Sequence, residues 1–294
     1  MNASLRKYRL HALALLLMMV TTTNYATAQP LRTPRPSPKA SVMQTVGITD
    51  VTITYSRPSV KKRAVWGELV PYDKVWRAGA NEATIIAFSD DVTISGQKLP
   101  AGNYSLHTIP AKAEWTLIFN KVADQWGSYS YDEKQDALRI KAKPQSAELS
   151  ELLTFEFADV RPNAADIVLR WERLMVPFTV DVGDVNALTL TKARAAISAA
   201  KPDDWSTPMQ AARFSFESKG DINETMTWLE KSLKAKEMPG NLWLKARIMA
   251  DTGKTQEAVS YGERAIQLVK AGDPKADTSA QEKMIAEWKA KKKM

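Results

Sequence analysis

Leu-Pro-Ala-Gly-Asn-Tyr-Ser-Leu-His-Thr-Ile-Pro-Ala-Lys-Ala-Glu-Trp-Thr-Leu-Ile-Phe-Asn, residues 99–120, decides the class of the fold. Tyr104, Leu106 and Thr108 alternate with Ser105, His107 and Ile109. After the break Pro110-Ala111-Lys112, Trp115, Leu117 and Phe119 alternate with Thr116, Ile118 and Asn120. A period of two is the signature of half-buried strands, and proline and glycine between such runs mark turns. Working outward, Val51, Ile53 and Tyr55 alternate with Thr52 and Thr54, and Ser95-Gly96 and Pro100-Ala101-Gly102 supply further turns. Later runs follow at 138–142, 152–157, 167–171 and 178–182, and eight or nine short strands are expected in all. Many short strands with close turn signals predict an antiparallel β-sandwich or barrel over residues 40–183.

Beyond Gly183 the apolar period becomes helical, which predicts an all-α domain over residues 184–294 and makes the whole an α+β multidomain chain. A helix is expected over 205–218, with the hydroxyls of Ser206 and Thr207 as caps and Pro208 in its first turn. Asp221 with Glu224, and Thr278 with Gln281, have capping-box spacing. Sliding the sequence by 33 residues places Gly220 on Gly253, Glu224 on Glu257, Trp228 on Tyr261, Glu230 on Glu263 and Leu233 on Ile266. That period, with the small residues Ala258 and Ala265, resembles tetratricopeptide-type helical hairpins, which present surfaces to protein partners. Gly262 departs from the pattern, standing where a bulky residue is usual.

The N-terminus reads as a targeting segment. Arg6, Lys7 and Arg9 precede an apolar run from Ala12 to Val20, which gives way to Ala26-Thr27-Ala28. Basic, then apolar, then small is the order of a cleavable signal peptide, and about nine apolar residues are too few to cross a hydrocarbon core of roughly 30 Å. Residues 1–28 are therefore expected to be removed after Ala28, exporting the chain to the periplasm or beyond with no transmembrane anchor. Pro30, Pro34, Pro36 and Pro38 make residues 29–39 a Pro-rich linker.

The formal charge of +8 belongs to the ends: residues 1–28 carry +3, residues 29–39 another +3 and residues 289–294 carry +4, leaving the body at −2. A nucleic-acid partner, which is bound through positive charge on a folded surface, is not expected. There is no cysteine, which removes disulfides, thiolate catalysis and a lipidated cysteine.

After the signal peptide His107 is the only histidine, so a zinc site would have to rest on carboxylates nearly alone, and no metal or cofactor is expected. Asp90-Asp91, Asp132-Glu133 and Asp203-Asp204 are adjacent pairs, and adjacent strand residues point to opposite faces, so none is a ready acid and base. Chemistry concentrates instead between Tyr55 and Glu82. There Arg57, Arg77, Asn81 and Glu82, with Trp76, Trp66 and Tyr72, have the mixture of a polar pocket with aromatic walls. Tyr104 and His107 join Arg57, Trp76, Arg77, Asn81 and Glu82 as candidate ligand-binding residues. The same residues also fit a structural role, in which Arg77 pairs with Glu82 to fasten a long loop and the tryptophans form its core.

Ser-Arg-Pro at 56–58, Trp-Gly-Glu-Leu-Val-Pro-Tyr at 66–72, Val-Trp-Arg-Ala-Gly-Ala-Asn-Glu-Ala-Thr at 75–84 and Leu-Pro-Ala-Gly-Asn-Tyr-Ser-Leu at 99–106 carry a family resemblance. So do Glu114-Trp115-Thr116, Gln125-Trp126-Gly127 and Trp171-Glu172. Over about residues 37–182 the chain resembles the domain-of-unknown-function family 2911, found mainly in secreted proteins of the Bacteroidetes group. The resemblance implies export and a β domain, and it brings no activity or catalytic residue. Two readings follow. In the leading one the chain is a non-enzymatic envelope protein that binds another envelope protein through its helices, with a small-molecule or glycan ligand as a further possible partner. In the competing one it is a hydrolase or transferase acting on an envelope glycan or peptide, with Glu82 as acid or base, Arg77 and Asn81 binding substrate and His107 assisting.

Overall fold

The computed structural model of the chain describes residues 33–291, so the expected signal peptide and its cleavage point after Ala28 lie outside the described residues. Residues 33–38 have no regular structure beyond a bend and are largely exposed, and the first strand starts at Lys39.

Ten strands form the N-terminal part: β1 (Lys39–Val46), β2 (Thr49–Ser56), β3 (Thr84–Phe88), β4 (Val92–Ile94), β5 (Gln97–Leu99), β6 (Gly102–Ile109), β7 (Trp115–Asn120), β8 (Asp136–Ala142), β9 (Gln145–Ala158) and β10 (Ala164–Asp181). They pair antiparallel into two sheets, one of order β1-β2-β3-β6-β7-β8 and one of order β5-β4-β10-β9. The sequence left sandwich and barrel open, and the two separate sheets make it a sandwich. Its core lies between them: Val51, Ile53, Leu106, Leu117 and Phe119 from the first sheet share one buried cluster with Leu153, Ile167, Trp171 and Phe178 from the second. Tyr55 ties the layers directly, its ring edge-on to Phe155 at 5.0 Å and its hydroxyl accepting from the Phe155 amide at 3.1 Å.

Two details differ from the sequence reading. The expected strands at 167–171 and 178–182 are one strand, β10, whose pairing with β9 slips on either side of Glu172, a residue with φ of +56°. Pro177, between the two expected strands, lacks an amide donor. It falls between the stretch of β10 paired to β9, which ends at Met175, and the stretch paired to β4, which begins at Val180, so its missing donor is not needed. The hairpin β4–β5, not counted among the expected strands, turns on Ser95 (φ +47°) and Gly96 (φ +85°), the positive-φ pair of a tight two-residue connection.

The C-terminal part is helical: α1 (Val185–Ala199), α2 (Ser206–Glu217), α3 (Ile222–Ala235), α4 (Pro239–Asp251), α5 (Thr255–Gly272) and α6 (Ser279–Lys291). α2 packs with α3, α4 with α5 and α5 with α6 around a second core that includes Trp228, Leu229, Leu244, Ile248 and Trp288. The start of α2 departs from expectation. Asp204, not a hydroxyl, accepts the amides of Ser206 and Thr207 at 2.9 and 3.0 Å, because an ionised carboxylate is the stronger acceptor. Asp221 caps α3 as its spacing predicts, accepting the amides of Asn223 and Glu224, while the Glu224 side chain turns away to grip Arg194 of α1 at 2.7 and 2.8 Å. At α6 the Thr278 hydroxyl donates to Glu282, one residue beyond the expected Gln281. Gly262 has a packing reason: a Cβ there would lie 3.0 Å from Ile285 of α6, so its lack of a side chain lets α5 and α6 close together. Among the described residues no helix is long and apolar enough to cross a membrane.

Candidate functional site

The chemically rich stretch from Tyr55 to Glu82 falls mostly in the connection from β2 to β3, residues 57–83, which forms a strap over one end of the sandwich. It begins as an extension of β9: Arg57 donates to the Leu153 carbonyl at 2.9 Å and the Thr154 hydroxyl at 2.7 Å, and the Val60 amide reaches the Glu151 carbonyl at 2.8 Å. It ends beside β6, where Trp76 and Thr108 exchange both backbone bonds at 2.7 Å. Between these anchors Trp66 and Trp76 enter a cluster with Trp115 and Trp171, with ring centroids 4.9–6.5 Å apart. All but one of these pairs are edge-to-face, the geometry that aims the positive ring edge at the negative face of its neighbour. The Trp66, Trp115 and Trp171 indole N–H groups are buried in this cluster without a hydrogen-bond acceptor.

The motif Trp-Arg-Ala-Gly-Ala-Asn-Glu-Ala-Thr, 76–84, is a closed loop. The Trp76 indole donates to the Gly79 carbonyl at 3.1 Å, the Thr84 hydroxyl to the Ala78 carbonyl at 2.9 Å and the Thr84 amide to the Arg77 carbonyl at 3.2 Å. Ala78 and Asn81 have φ near +48° and +60°, and a Cβ on Gly79 would meet Thr84 Oγ1 at 3.0 Å. Small residues are thus needed at 78 and 79 for the loop to close.

The outer face of the six-stranded sheet holds what the sequence could not assemble. Ser105 and His107 point away from the core, yet both are fully buried, because residues 121–135 fold back over them. His107 Nδ1 lies 3.1 Å from Ser128 Oγ and Nε2 lies 3.1 Å from Ser105 Oγ, and Gln125 Nε2 donates to the same Ser105 oxygen at 3.0 Å. The sealed Ser105 hydroxyl has one acceptor for its own proton, His107 Nε2. This satisfaction argument fixes the imidazole with its proton on Nδ1, donated to Ser128. So polarised, the chain Gln125 to Ser105 to His107 to Ser128 gives His107 no lone pair toward Ser128, the opposite of what activation of a serine nucleophile requires. Burial pushes the His107 pKa down to about 4, helped by the Arg77 charge and opposed by Asp136, so the ring is neutral at pH 7.

Alongside, Asp136 accepts from Asn120 at 2.8 Å, from Tyr131 at 2.7 Å and from Arg139 at 2.7 Å. Burial first and the Asp136 bond second raise the Tyr131 phenol to about 12.

The seven candidates therefore separate. Arg57, Trp76 and Tyr104 serve packing and anchoring, Tyr104 lying in the sandwich core with its hydroxyl on the Pro100 carbonyl at 2.8 Å. Arg77 and His107 are near enough to interact electrostatically. Asn81 donates to Ser56 Oγ at 3.3 Å, and its carbonyl takes the Gly127 amide at 3.0 Å. Glu82 pairs through its backbone with Trp126 and lines a shallow cavity of about 180 Å³ with Lys39, Tyr55 and Asp124. No ion pair joins Arg77 to Glu82 among the described residues. Sequence reasoning missed Gln125, Ser128, Tyr131 and Asp136. The one signal near them was the Gln-Trp-Gly triplet at 125–127. Among the described residues no group of three acidic or histidine side chains is disposed to hold a metal ion.

The helical part carries a different feature. Phe216 of α2, Arg247, Ala250 and Asp251 of α4, and Met284 and Trp288 of α6 line an open groove of about 290 Å³. Arg247 stacks over the Phe216 ring at 5.3 Å.

Residues 37–180 match the family model described as a protein of unknown function (DUF2911). The match begins just before β1 and ends one residue short of the end of β10, so it covers the sandwich and stops before the helices. No curated protein and no solved structure shows a significant match to the chain. Within the DUF2911 region the long motifs at 56–58, 66–72 and 75–84 coincide with the strap and its tryptophan cluster, which gives them a packing rationale without any appeal to catalysis.

Proposed function

We propose that the chain is an exported envelope protein without enzymatic activity, in which the sandwich is a rigid support and the helices hold a segment of another polypeptide. The observation that carries this reading is the groove shared by α2, α4 and α6, the first helix of each successive pair and the helix that follows them. Arrays of paired helices of about 33 residues use that inner face for partner chains, and the 33-residue repeat of 220–233 onto 253–266 supports the same assignment. The groove combines an apolar floor, Met284 and Trp288, with the charges of Arg247 and Asp251, which suits an extended peptide bearing both kinds of side chain.

The competing hydrolase or transferase reading has less support. The cavity that Glu82 lines includes neither Arg77 nor His107, and His107 is sealed and polarised away from Ser128.

The test is co-purification from envelope extract with the full chain, beside a double variant Arg247→Glu, Met284→Glu. A reproducible partner retained by the wild type and lost with the variant is expected. A partner that binds both equally, or none, would overturn the groove assignment. The export half is read separately, by mass spectrometry of the secreted chain, with Gln29 expected at its N-terminus.

A further inference from the structure

The outer face of the six-stranded sheet carries a second feature beside the sealed His107. Thr54 of β2, Ile85 of β3 and Ser105 of β6 lie opposite one another in register, one row across three strands. The loop 121–126 is fastened over the β6 end of that row. Gln125 donates to Ser105 Oγ at 3.0 Å and to the Val122 carbonyl at 2.9 Å, and its own carbonyl takes the Ala83 amide at 3.0 Å. Toward β2 the loop and the sheet part, leaving a cavity of about 180 Å³ with Thr54 and Ile85 in its floor. Ala123 and Asp124 line it from the loop, and Lys39 and Glu82 complete the lining.

The charges on this cavity come from opposite sides. Lys39 opens β1, the strand beyond β2, opposite Ser56 in register. Alternation puts it on the same face as Ser41, whose hydroxyl lies 3.2 Å from Thr54 Oγ1. Asp124 arrives from the loop tied to β6. Strands about 4.8 Å apart place β1 and β6 roughly 14 Å from each other, so the two side chains approach across a gap. Among the described residues neither side chain has a hydrogen-bond or ion-pair partner, and the two do not pair with each other. The volume between them equals roughly six waters at about 30 Å³ each, the size of a small organic zwitterion.

We propose that this cavity binds a free α-amino acid with a small apolar side chain, its carboxylate on the Lys39 ammonium, its own ammonium on Asp124 and its side chain against Ile85. A zwitterion brings both of the charges that the fold leaves unmatched, each in a charge-assisted hydrogen bond, whereas a singly charged solute satisfies one and leaves the other. Glu82 makes the lining net negative, which favours an ammonium group and disfavours a ligand with two carboxylates. A concave site with an apolar patch and a few convergent polar groups is the usual form of a small-molecule pocket. The site is on the sandwich and stands or falls independently of the helical groove.

The test is calorimetric titration of the full chain with alanine, beside lactate, which lacks the ammonium, and ethylamine, which lacks the carboxylate. Saturable binding of alanine is expected, with lactate and ethylamine each weaker by about tenfold or more. Lys39→Met and Asp124→Asn should each weaken alanine binding by about tenfold or more, the loss of one hydrogen bond to a charged group. Both side chains are exposed, so an unchanged melting temperature in each variant separates loss of the site from loss of the fold. Lactate or ethylamine binding as tightly as alanine, no alanine binding at millimolar concentration, or binding that survives either variant would each overturn the proposal.

Discussion

His107 shows how much a single residue's role depends on what covers it. Its strand position and its orientation away from Tyr104 and Leu106 are written in the period-two pattern of 104–109. The cover is not, because Gln125 and Ser128 arrive from a loop with no period of its own. The neutral state gives a pH signature whose sign follows from the direction of the shift. Below pH 6.5 the unfolded chain takes up a proton at this imidazole, while the folded chain refuses it until about pH 4. Stability should therefore fall as the pH drops through that window and level off beneath it, by about 3–4 kcal/mol in all at roughly 1.4 kcal/mol per unit. Urea denaturation at pH 7 and pH 4.5 measures it, and His107→Asn should flatten this part of the pH dependence. Ser105→Ala should destabilise by about 1–3 kcal/mol at pH 7, because it strands the Nε2 lone pair in a sealed site. No loss in that variant would contradict the proton chain assigned here.

At the scale of elements, strands and helices were legible wherever one face met a core. β2, β6 and β7 follow the alternation of their sequences, and α2 and α3 begin within a residue or two of their cap signals. What escaped was set by distant partners: β10 continues through Pro177 because its neighbour changes there, and α2 takes its cap from Asp204, ahead of the expected hydroxyls. The cap assignment predicts that Asp221→Ala at α3 lowers stability by about 1 kcal/mol, that Asp204→Ala lowers it measurably, and that Ser206→Ala costs clearly less than either. Chemical denaturation of the three variants ranks them. The strap over residues 57–83 makes a larger claim. If the tryptophans are its core, then Trp171→Ala, which empties the floor beneath Trp66 and Trp76, should cost about 3–5 kcal/mol. A loss under 1 kcal/mol would mean that the cluster can collapse freely, and the packing rationale for the 66–84 motifs would fail.

For the whole molecule the decisive observation is that its apolar residues gather into two separate buried clusters, one between the sheets and one among the helices. What connects them is thin. Val185, the first residue of α1, packs against the sandwich beside Gly47, where a Cβ would meet it at 2.6 Å. About two turns further along, Lys192 of α1 reaches Asp90 at 2.7 Å. Lys192 is half-exposed while the Asp90 carboxylate is only 11% exposed, so the pair is partly shielded and contributes about 1 kcal/mol. The change of period at Gly183 announced this division in the sequence. The anchoring of α1 did not show there, because it rests on one valine and one lysine whose partners lie far away in the chain. Two cores with so little shared surface should unfold as two units. Calorimetry of the full chain is expected to give two resolvable transitions. Lys192→Ala should lower either by no more than a few °C, while Trp171→Ala should lower only the transition belonging to the sandwich, and by much more. A single transition that Trp171→Ala moves as a whole would mean that the helices borrow their stability from the sheets, and the groove of α2, α4 and α6 would then have to be understood as part of one rigid body with the sandwich.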